Sequence, residues 1–130
     1  MKITGSALRV RIFVGEADRY HHQPLYHAIL MKAREIGMAG ATVYRAFEGF
    51  GASTRIRSTN LLDLSADLPV VVEIVDGQDY VERLLPVLDG MVENGLITVD
   101  PVQVVKYAHR AGTGRGLHVD PDGWDQGGLP

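Results

Sequence analysis

The order in which helical and strand-like patterns follow one another is the feature of this chain that most restricts its fold. Apolar residues at positions 8, 10, 12 and 14 alternate with other side chains, which predicts a first strand. A helical stripe over 25–36, two strand-like runs at 41–47 and 69–75, and a second helical stripe over 81–92 come next. A last strand-like run extends from 96 to 107. The predicted order is therefore strand, helix, strand, strand, helix, strand.

That order is typical of an α+β protein with the ferredoxin-like βαββαβ fold, in which two helices cover one face of a four-stranded antiparallel sheet. Gly37 or Gly40 is predicted to end the first helix, and Asp76 is predicted to cap the start of the second. We expect Asn94-Gly95 to end the second helix. The last strand is predicted to be interrupted near Asp100-Pro101, by an edge position or a bulge, because proline donates no ladder hydrogen bond.

A polar segment of 19 residues, 49–67, separates the second and third predicted strands. Adjacent antiparallel strands usually need only about two to five linking residues, so a loop this long is either a working part or disordered. It carries Arg55 and Arg57 among serine and threonine hydroxyls, a chemistry that binds phosphate or carboxylate. We therefore predict a binding role for the loop. The simpler interpretation is that a solvated loop is polar.

Composition limits the classes of function. The formal net charge is −3, which argues against a nucleic-acid partner. The chain has no cysteine, so disulfides, thiol nucleophiles and thiolate metal sites are excluded. No apolar run approaches the length of about 18 residues that a membrane span needs, and the start lacks the apolar core of a secretory signal. We expect a cytoplasmic protein that does not insert into membranes.

The composition changes near the end of the chain. Residues 109–130 include six glycines, and segments of this kind are usually flexible. We predict one domain over 1–108 and a flexible, glycine-rich tail over 109–130. Within the tail, Gly112-Thr113-Gly114-Arg115-Gly116 lacks the helix and the Lys-Ser/Thr pair of a phosphate-binding loop, which favours the flexible tail over a phosphate cradle.

The sheet face that the helices leave uncovered is predicted to be mixed in character. If the even-numbered residues of the first strand point toward the helices, Arg9, Arg11 and Phe13 point away from them. Burial against another copy of the chain explains such a face better than exposure to water does, so we predict an oligomer. The side chains expected to share this face are Val71, Val75, Val105 and Tyr107.

Seven short motifs follow one another along residues 6–107. They are Gly15-Glu16-x-Asp18-Arg19, Pro24-Leu25-Tyr26, Gly40-Ala41-Thr42-Val43, Glu48-Gly49-Phe50-Gly51, Ser65-x-Asp67-Leu68-Pro69-Val70, Leu85-Pro86-x-Leu88 and Gly95-Leu96-Ile97. In series they resemble a bacterial family, the domain of unknown function 190. That family is regarded as similar to the PII nitrogen-signalling proteins, which are ferredoxin-like trimers.

The resemblance implies a homotrimeric signalling or regulatory protein without catalytic activity. In PII-like proteins the long loop after the second strand contacts partner proteins, and small effectors, commonly adenine nucleotides, bind in clefts between subunits. Members of the family are sometimes encoded beside fluoride exporters, which implies a link to ion homeostasis, and the candidate partner of the loop is a membrane transporter. We therefore expect a small anionic effector, with an adenine nucleotide as the candidate, and no other cofactor.

The resemblance and the loop chemistry together select the predicted site. The segment 94–102 resembles the part of PII proteins in which backbone amides approach phosphates. Two arginines on the last PII strand hold phosphate oxygens, and the matching positions here are Tyr107 and His109. A phosphate bound by this chain would therefore use other cations. The predicted effector-binding residues are Gly49, Gly51, Arg55, Arg57, Asn94 and Gly95.

Two other interpretations stay open. Glu16, Asp18 and His21 follow the first strand, and carboxylates and imidazoles are ligands of divalent metals, so an ion-binding module is one alternative. A small enzyme working in a subunit cleft is the other. No spacing of Ser58 or the histidines implies a nucleophile and its base, so we assign no catalytic residue. The adjacent His21-His22 pair does not converge easily from one extended segment and no second ligand cluster supports it, so we assign no metal ligand.

Overall fold

The computed structural model describes residues 5–53, 55–59 and 67–108. The predicted tail, 109–130, lies outside the described residues. Neither helix in the described part of the chain has the length and apolar character needed to cross a membrane. In chain order the elements are β1 (Gly5–Gly15), β2 (Arg19–Tyr20), β3 (Gln23–Pro24), α1 (Leu25–Ile36), β4 (Thr42–Arg45), β5 (Glu48–Gly49), β6 (Arg57–Ser58), β7 (Pro69–Asp76), α2 (Gln78–Met91) and β8 (Leu96–Val104).

The four longer strands form one antiparallel sheet in the order β4-β7-β1-β8. β1 lies inside the sheet and pairs with β7 as far as Gly15↔Pro69 and with β8 as far as Phe13↔Leu96. The first and last strands of the βαββαβ order are therefore neighbours, and the predicted ferredoxin-like fold is confirmed.

Both helices pack on one face of this sheet. Val10 and Ile12 of β1 are fully buried, as are Ile29 of α1 and Leu84 and Leu88 of α2, and all five belong to one apolar core. Full burial of a side chain of this size stabilises the native state by about 2 kcal/mol before entropy is counted. The alternation predicted for β1 is therefore confirmed, with even-numbered residues facing the helices.

α1 ends at Ile36, and Gly37, one of the two glycines predicted to end this helix, follows it. Gly37 adopts a left-handed conformation with φ 94°, and its N–H donates to the carbonyl oxygens of Ala33 and Arg34. Glycine suits this position because other residues are strained at positive φ.

Asp76 does not cap α2, so that prediction was wrong. Gly77 occupies the N-cap position and no side chain caps the helix. Asp76 instead ends β7 opposite Leu8, on the helix side of the sheet, where it is fully buried. Its Oδ1 accepts a hydrogen bond from the Gly77 N–H (2.8 Å) and its Oδ2 accepts one from the Ala39 N–H (2.9 Å). The carboxylate therefore joins two loops.

The end of α2 and the course of β8 also differ from the predictions. α2 ends at Met91, because Val92 is already extended, and not at Asn94-Gly95. β8 runs without interruption through Asp100-Pro101, and Pro101 lies opposite Leu8. The predicted edge position is correct, and it explains why the strand tolerates the proline: an edge strand has one side on which a missing N–H costs no ladder bond.

The uncovered sheet face combines ion pairs with exposed apolar groups. Arg9 forms two hydrogen bonds with Asp100, and Arg11 Nε lies 2.9 Å from Glu73 Oε1. The hydrogen bond from Arg9 holds the pKa of Asp100 below its usual range, and the positive charges of Arg9 and Arg11 add to this effect. Phe13 lies at one end of the same face and is 37% exposed. The mixed character predicted for this face is therefore present.

Candidate functional site

The long loop is closed at its base by a short antiparallel ladder. Glu48 pairs with Ser58 and Gly49 pairs with Arg57, so β5 and β6 form the two arms of a hairpin. The Thr59 N–H donates to the carbonyl oxygen of Phe47 (3.0 Å) and extends the ladder by one bond. The ladder was not predicted from the sequence, because arms of two residues are too short to show a strand periodicity. Residues 60–66 of the loop lie outside the described residues.

One arm of the hairpin forms an ion pair with the last residue of the long loop, Asp67, over the end of β1. Arg57 Nη1 lies 3.0 Å from Asp67 Oδ2, and Asp67 Oδ1 accepts a hydrogen bond from the Ala17 N–H (2.9 Å). Both side chains lie over Gly15: a Cβ added there would be 2.9 Å from Arg57 Nη1 and 2.9 Å from Asp67 Oδ1. Glycine is therefore needed at position 15 for Arg57 and Asp67 to approach the strand this closely.

A second ion pair lies at the same end of the sheet. Arg45, the last residue of β4, places its Nε 3.2 Å from Glu16 Oε2. Glu16 Oε1 is buried and has no hydrogen-bond partner among the described residues, and the Glu16 N–H donates to the carbonyl oxygen of Leu68. Asp18 Oδ2 accepts a hydrogen bond from the Gly15 N–H (2.8 Å). Charged side chains of the β1–β2 turn and of the loop arms therefore meet around Gly15.

The predicted phosphate segment flanks β1 from the other side. Asn94 and Gly95 are exposed and lie in the connection from α2 to β8. A Cβ added to Gly95 would be 2.7 Å from the backbone oxygen of Phe13, so only glycine allows this approach. Phe13 is two residues before Gly15, a separation of about 7 Å along a strand. The structure thus brings the Asn94-Gly95 turn and the Arg57 side of the loop to one end of the sheet.

The remaining predicted residues occupy different parts of the hairpin. Gly49 lies in β5, where an added Cβ would be 3.1 Å from Pro69 Cγ, so this glycine packs on β7. Gly51 and Arg55 are exposed in the connection between β5 and β6. The same connection presents Phe50 and Ile56, which are 71% and 55% exposed and which sequence analysis did not select.

Tyr107 lies elsewhere in the chain. Its hydroxyl donates to the carbonyl oxygen of Ala39 (3.3 Å), next to the loop that contacts Asp76. That is the end of the sheet opposite to Gly15, because β1 and β7 are antiparallel and Asp76 pairs with Leu8. Tyr107 is therefore not part of the Gly15 end within one chain. His109, the other position matched to an arginine, lies outside the described residues.

The metal-binding alternative finds little geometric support. Glu16 is paired with Arg45, and Asp18 bonds the backbone of its own turn. His21 and His22 form the turn between β2 and β3 with φ values of 46° and 71°. Among the described residues, no group of three or more histidine, aspartate or glutamate side chains is arranged to hold a metal ion.

Sequence signals for the missed contacts did exist. Asp67 and the Gly15-to-Asp18 turn both lie in motifs that carry the resemblance, yet neither entered the predicted site. Two signals could have identified these contacts. One is a carboxylate at the end of the long loop, Asp67, and the other is a glycine directly before an acidic turn, Gly15.

The sequence comparisons assign the family. The model of the DUF190 family (Uncharacterized ACR, COG1993) matches residues 7–104. This chain belongs to that family. A relative, the UPF0166 protein of Aquifex aeolicus (strain VF5), is 42% identical over 96 residues, which are 74% of this chain and 90% of the relative.

Solved structures share the fold. A candidate PII-like signalling protein from Thermus thermophilus matches with a TM-score of 0.60 and 18% identity, over 81% of this chain and 94% of that chain. CPII from Thiomonas intermedia K12, bound to ADP and bicarbonate, matches with a TM-score of 0.57 and 17% identity, over 78% and 90%. The predicted PII-like fold is therefore confirmed. The first neighbour is described as a PII-like signalling protein, and CPII as a nitrogen regulatory PII-like protein.

Proposed function

We propose that this protein is a PII-like regulatory protein that binds a small anionic effector and presents its long loop to a partner. It acts as a homotrimer in the cytoplasm, and an adenine nucleotide is the effector. The bound effector contacts Gly49, Gly51, Arg55, Arg57, Asn94 and Gly95 in a cleft between subunits. The effector favours one conformation of the loop because its affinity differs between conformations, and this shifts the population that the partner meets.

The observation that carries the proposal is the meeting of two predicted segments at one end of the sheet. The hairpin arm with Arg57 reaches Gly15, and Gly95 reaches the backbone of Phe13. A guanidinium and an exposed turn of backbone amides are the two kinds of donor that phosphates use in proteins. The ADP in the fold neighbour from Thiomonas intermedia supports an adenine nucleotide as the class of effector.

The loop and the uncovered sheet face support the assembly part of the proposal. Phe50 and Ile56 are large apolar side chains exposed at the hairpin connection, a position suited to contact with another protein. A membrane transporter is the partner that we propose. Phe13 and Leu96 are exposed beside each other on the uncovered sheet face, where packing of three copies would bury them.

Thermal unfolding against ATP, ADP, AMP and cyclic AMP, with and without magnesium, tests the proposal. A nucleotide at 100 times its dissociation constant stabilises the native state by about 2.7 kcal/mol, which raises the midpoint by roughly 10 °C for a chain of this size. We expect Arg55→Ala to reduce this shift. Arg34→Ala is the matched control, because it removes an exposed guanidinium from the last turn of α1.

Three results would count against the proposal. An unchanged midpoint with every nucleotide would exclude the effector class. An equal shift in Arg55→Ala and in the wild type would remove that residue from the site. Sedimentation equilibrium of the same sample would contradict the trimer if the particle contained one chain at micromolar concentration.

A further inference from the structure

The end of the sheet around Gly15 carries more negative than positive charge. Three carboxylates lie there, those of Glu16, Asp18 and Asp67, with two guanidiniums, those of Arg45 and Arg57. Their sum is a net charge of −1, and each of the two guanidiniums already has a carboxylate partner. Both guanidiniums of this cluster are therefore already neutralised, and a phosphate that contacts Arg57 has to compete with Asp67 for it.

The Arg57–Asp67 pair is the one that is placed to exchange. The two side chains are 31% and 25% exposed, so water reaches both of them without any opening of the core. Asp67 has a second bond, from the Ala17 N–H to its Oδ1, while Arg57 contacts its Oδ2. If Arg57 turned to another anion, Asp67 would keep the bond from the Ala17 N–H, and its side chain is already partly exposed to water. Exchange therefore leaves no buried charge without a partner.

We infer that Asp67 sets the affinity of the site for phosphate by occupying Arg57 in the free protein. The inference rests on the proposed effector-binding function and adds a residue that the predicted site did not contain. Asp67 acts here through Arg57 and does not itself touch the effector. Binding of a phosphate to Arg57 and pairing of Arg57 with Asp67 are competing events, and each weakens the other.

This competition has a distinctive consequence. Removal of the Asp67 charge strengthens the binding of a ligand with a phosphate, while the binding of the same ligand without a phosphate stays unchanged. The effect depends on Arg57, so it disappears in a protein that lacks the guanidinium. A purely positioning role for Asp67 predicts the opposite sign, because loss of its charge would leave Arg57 less well placed.

Isothermal titration with ADP and with adenosine tests the inference on four full-length proteins: the wild type, Asp67→Asn, Arg57→Ala and the double variant. Asp67→Asn keeps an amide oxygen that accepts from the Ala17 N–H, so the change removes charge and little else. We expect it to bind ADP about three- to fivefold more tightly than the wild type, the range for a partly exposed ion pair. In the Arg57→Ala background the same change has no effect, and adenosine affinity does not respond in any protein.

Asp18→Asn is the matched control. It removes the same charge beside Gly15, keeps an oxygen that accepts from the Gly15 N–H, and involves no pairing with Arg57 in this geometry. A gain in ADP affinity as large as that of Asp67→Asn would mean that general electrostatics, and not competition for Arg57, causes the change. A melting curve of each variant without ligand shows that each one folds.

The outcomes separate the inference from the proposed function. If the wild type binds ADP and Asp67→Asn binds it equally or more weakly, the inference is overturned and the proposed function stands. If the gain persists in the Arg57→Ala background, the inference is also overturned. If neither the wild type nor Asp67→Asn binds ADP, the proposed nucleotide effector and the inference fall together. If Asp67→Asn binds ADP and the wild type does not, Asp67 competes strongly with the phosphate for Arg57, and the inference is supported.

Discussion

The two ends of the sheet hold their carboxylates in different ways. At one end Asp76 is fully buried, and its two oxygens accept from the backbone N–H groups of Gly77 and Ala39. At the other end Glu16 and Asp67 are partly exposed and are paired with the side chains of Arg45 and Arg57. The donors to Asp76 belong to the main chain. At the other end, Glu16 Oε2 and Asp67 Oδ2 face the ends of long, flexible side chains, and only Asp67 Oδ1 accepts from a backbone N–H, that of Ala17.

This difference separates a structural end of the molecule from an adaptable one. Backbone donors move only if the loops that carry them move, and a buried carboxylate without donors is very costly, so Asp76 has one stable arrangement. A guanidinium at the surface exchanges one anion for another at low cost, because water compensates both partners during the exchange. The long loop begins and ends at the adaptable end, which is where we propose that an effector acts.

The same substitution at each end gives the sharpest comparison. Asp76→Asn leaves one of the two backbone N–H groups facing an amide N–H, and we expect it to lower the free energy of unfolding by about 3 kcal/mol. Asp67→Asn keeps its bond to Ala17 and loses only a partly exposed ion pair, so we expect a loss below about 1 kcal/mol. Urea unfolding of both variants at pH 7 measures the two values. Equal losses would show that the two ends are alike.

The sequence predicted the fold well and the charged contacts poorly, for a physical reason. Strand and helix periodicity are local, so the element order and the glycine that ends α1 were predictable. Asp76 was misassigned as a cap, since aspartate before a helix favours that role, and its actual partner Ala39 lies 37 residues earlier. The pairing of Arg57 with Asp67 likewise depends on how one hairpin arm and the end of the loop lie over Gly15, which strand and helix periodicity do not encode.

The candidate site shows the same limit. The family resemblance placed Asn94-Gly95 near a phosphate, and the structure shows a second reason for that glycine in the approach to Phe13 O. The resemblance matched Tyr107 to a phosphate-binding arginine, yet within one chain Tyr107 bonds the loop at the structural end. If the effector site lies between subunits, as we propose, the residues that a second copy contributes cannot be located from the sequence of a single chain, because the contact depends on the assembly.

A pair of glycines tests whether the adaptable end contains a rigid part. Gly95→Ala places a Cβ 2.7 Å from a backbone oxygen that cannot move independently of β1, and we expect a loss of about 2 kcal/mol in the free energy of unfolding. Gly90→Ala is the matched control, because it lies in α2 with no atom within 4 Å of an added Cβ. That change is expected to stabilise the protein by up to about 1 kcal/mol.

Urea unfolding measures both changes. If Gly95→Ala unfolds at the same urea concentration as the wild type, the turn at 94–95 adapts like the ion pairs beside it. The adaptable end would then contain no rigid element at this turn, and the structural end and the adaptable end would differ throughout.

The smallest expected effect concerns a carboxylate that belongs to neither end. Asp100 pairs with Arg9 on the uncovered sheet face, and the hydrogen bond from Arg9 lowers the pKa of Asp100 in the folded protein. A lowered folded pKa means that the stabilisation is fully present above the unfolded pKa, near 4, and is lost as the pH falls through the folded value. We therefore expect the urea midpoints of the wild type and Asp100→Asn to differ at pH 6 and to converge as the pH falls below the folded pKa of Asp100. Asp89→Asn, on the exposed side of α2, gives the effect of the charge change alone. A difference between wild type and Asp100→Asn that does not shrink in acid would mean that the pair on this face contributes through packing and not through its charge.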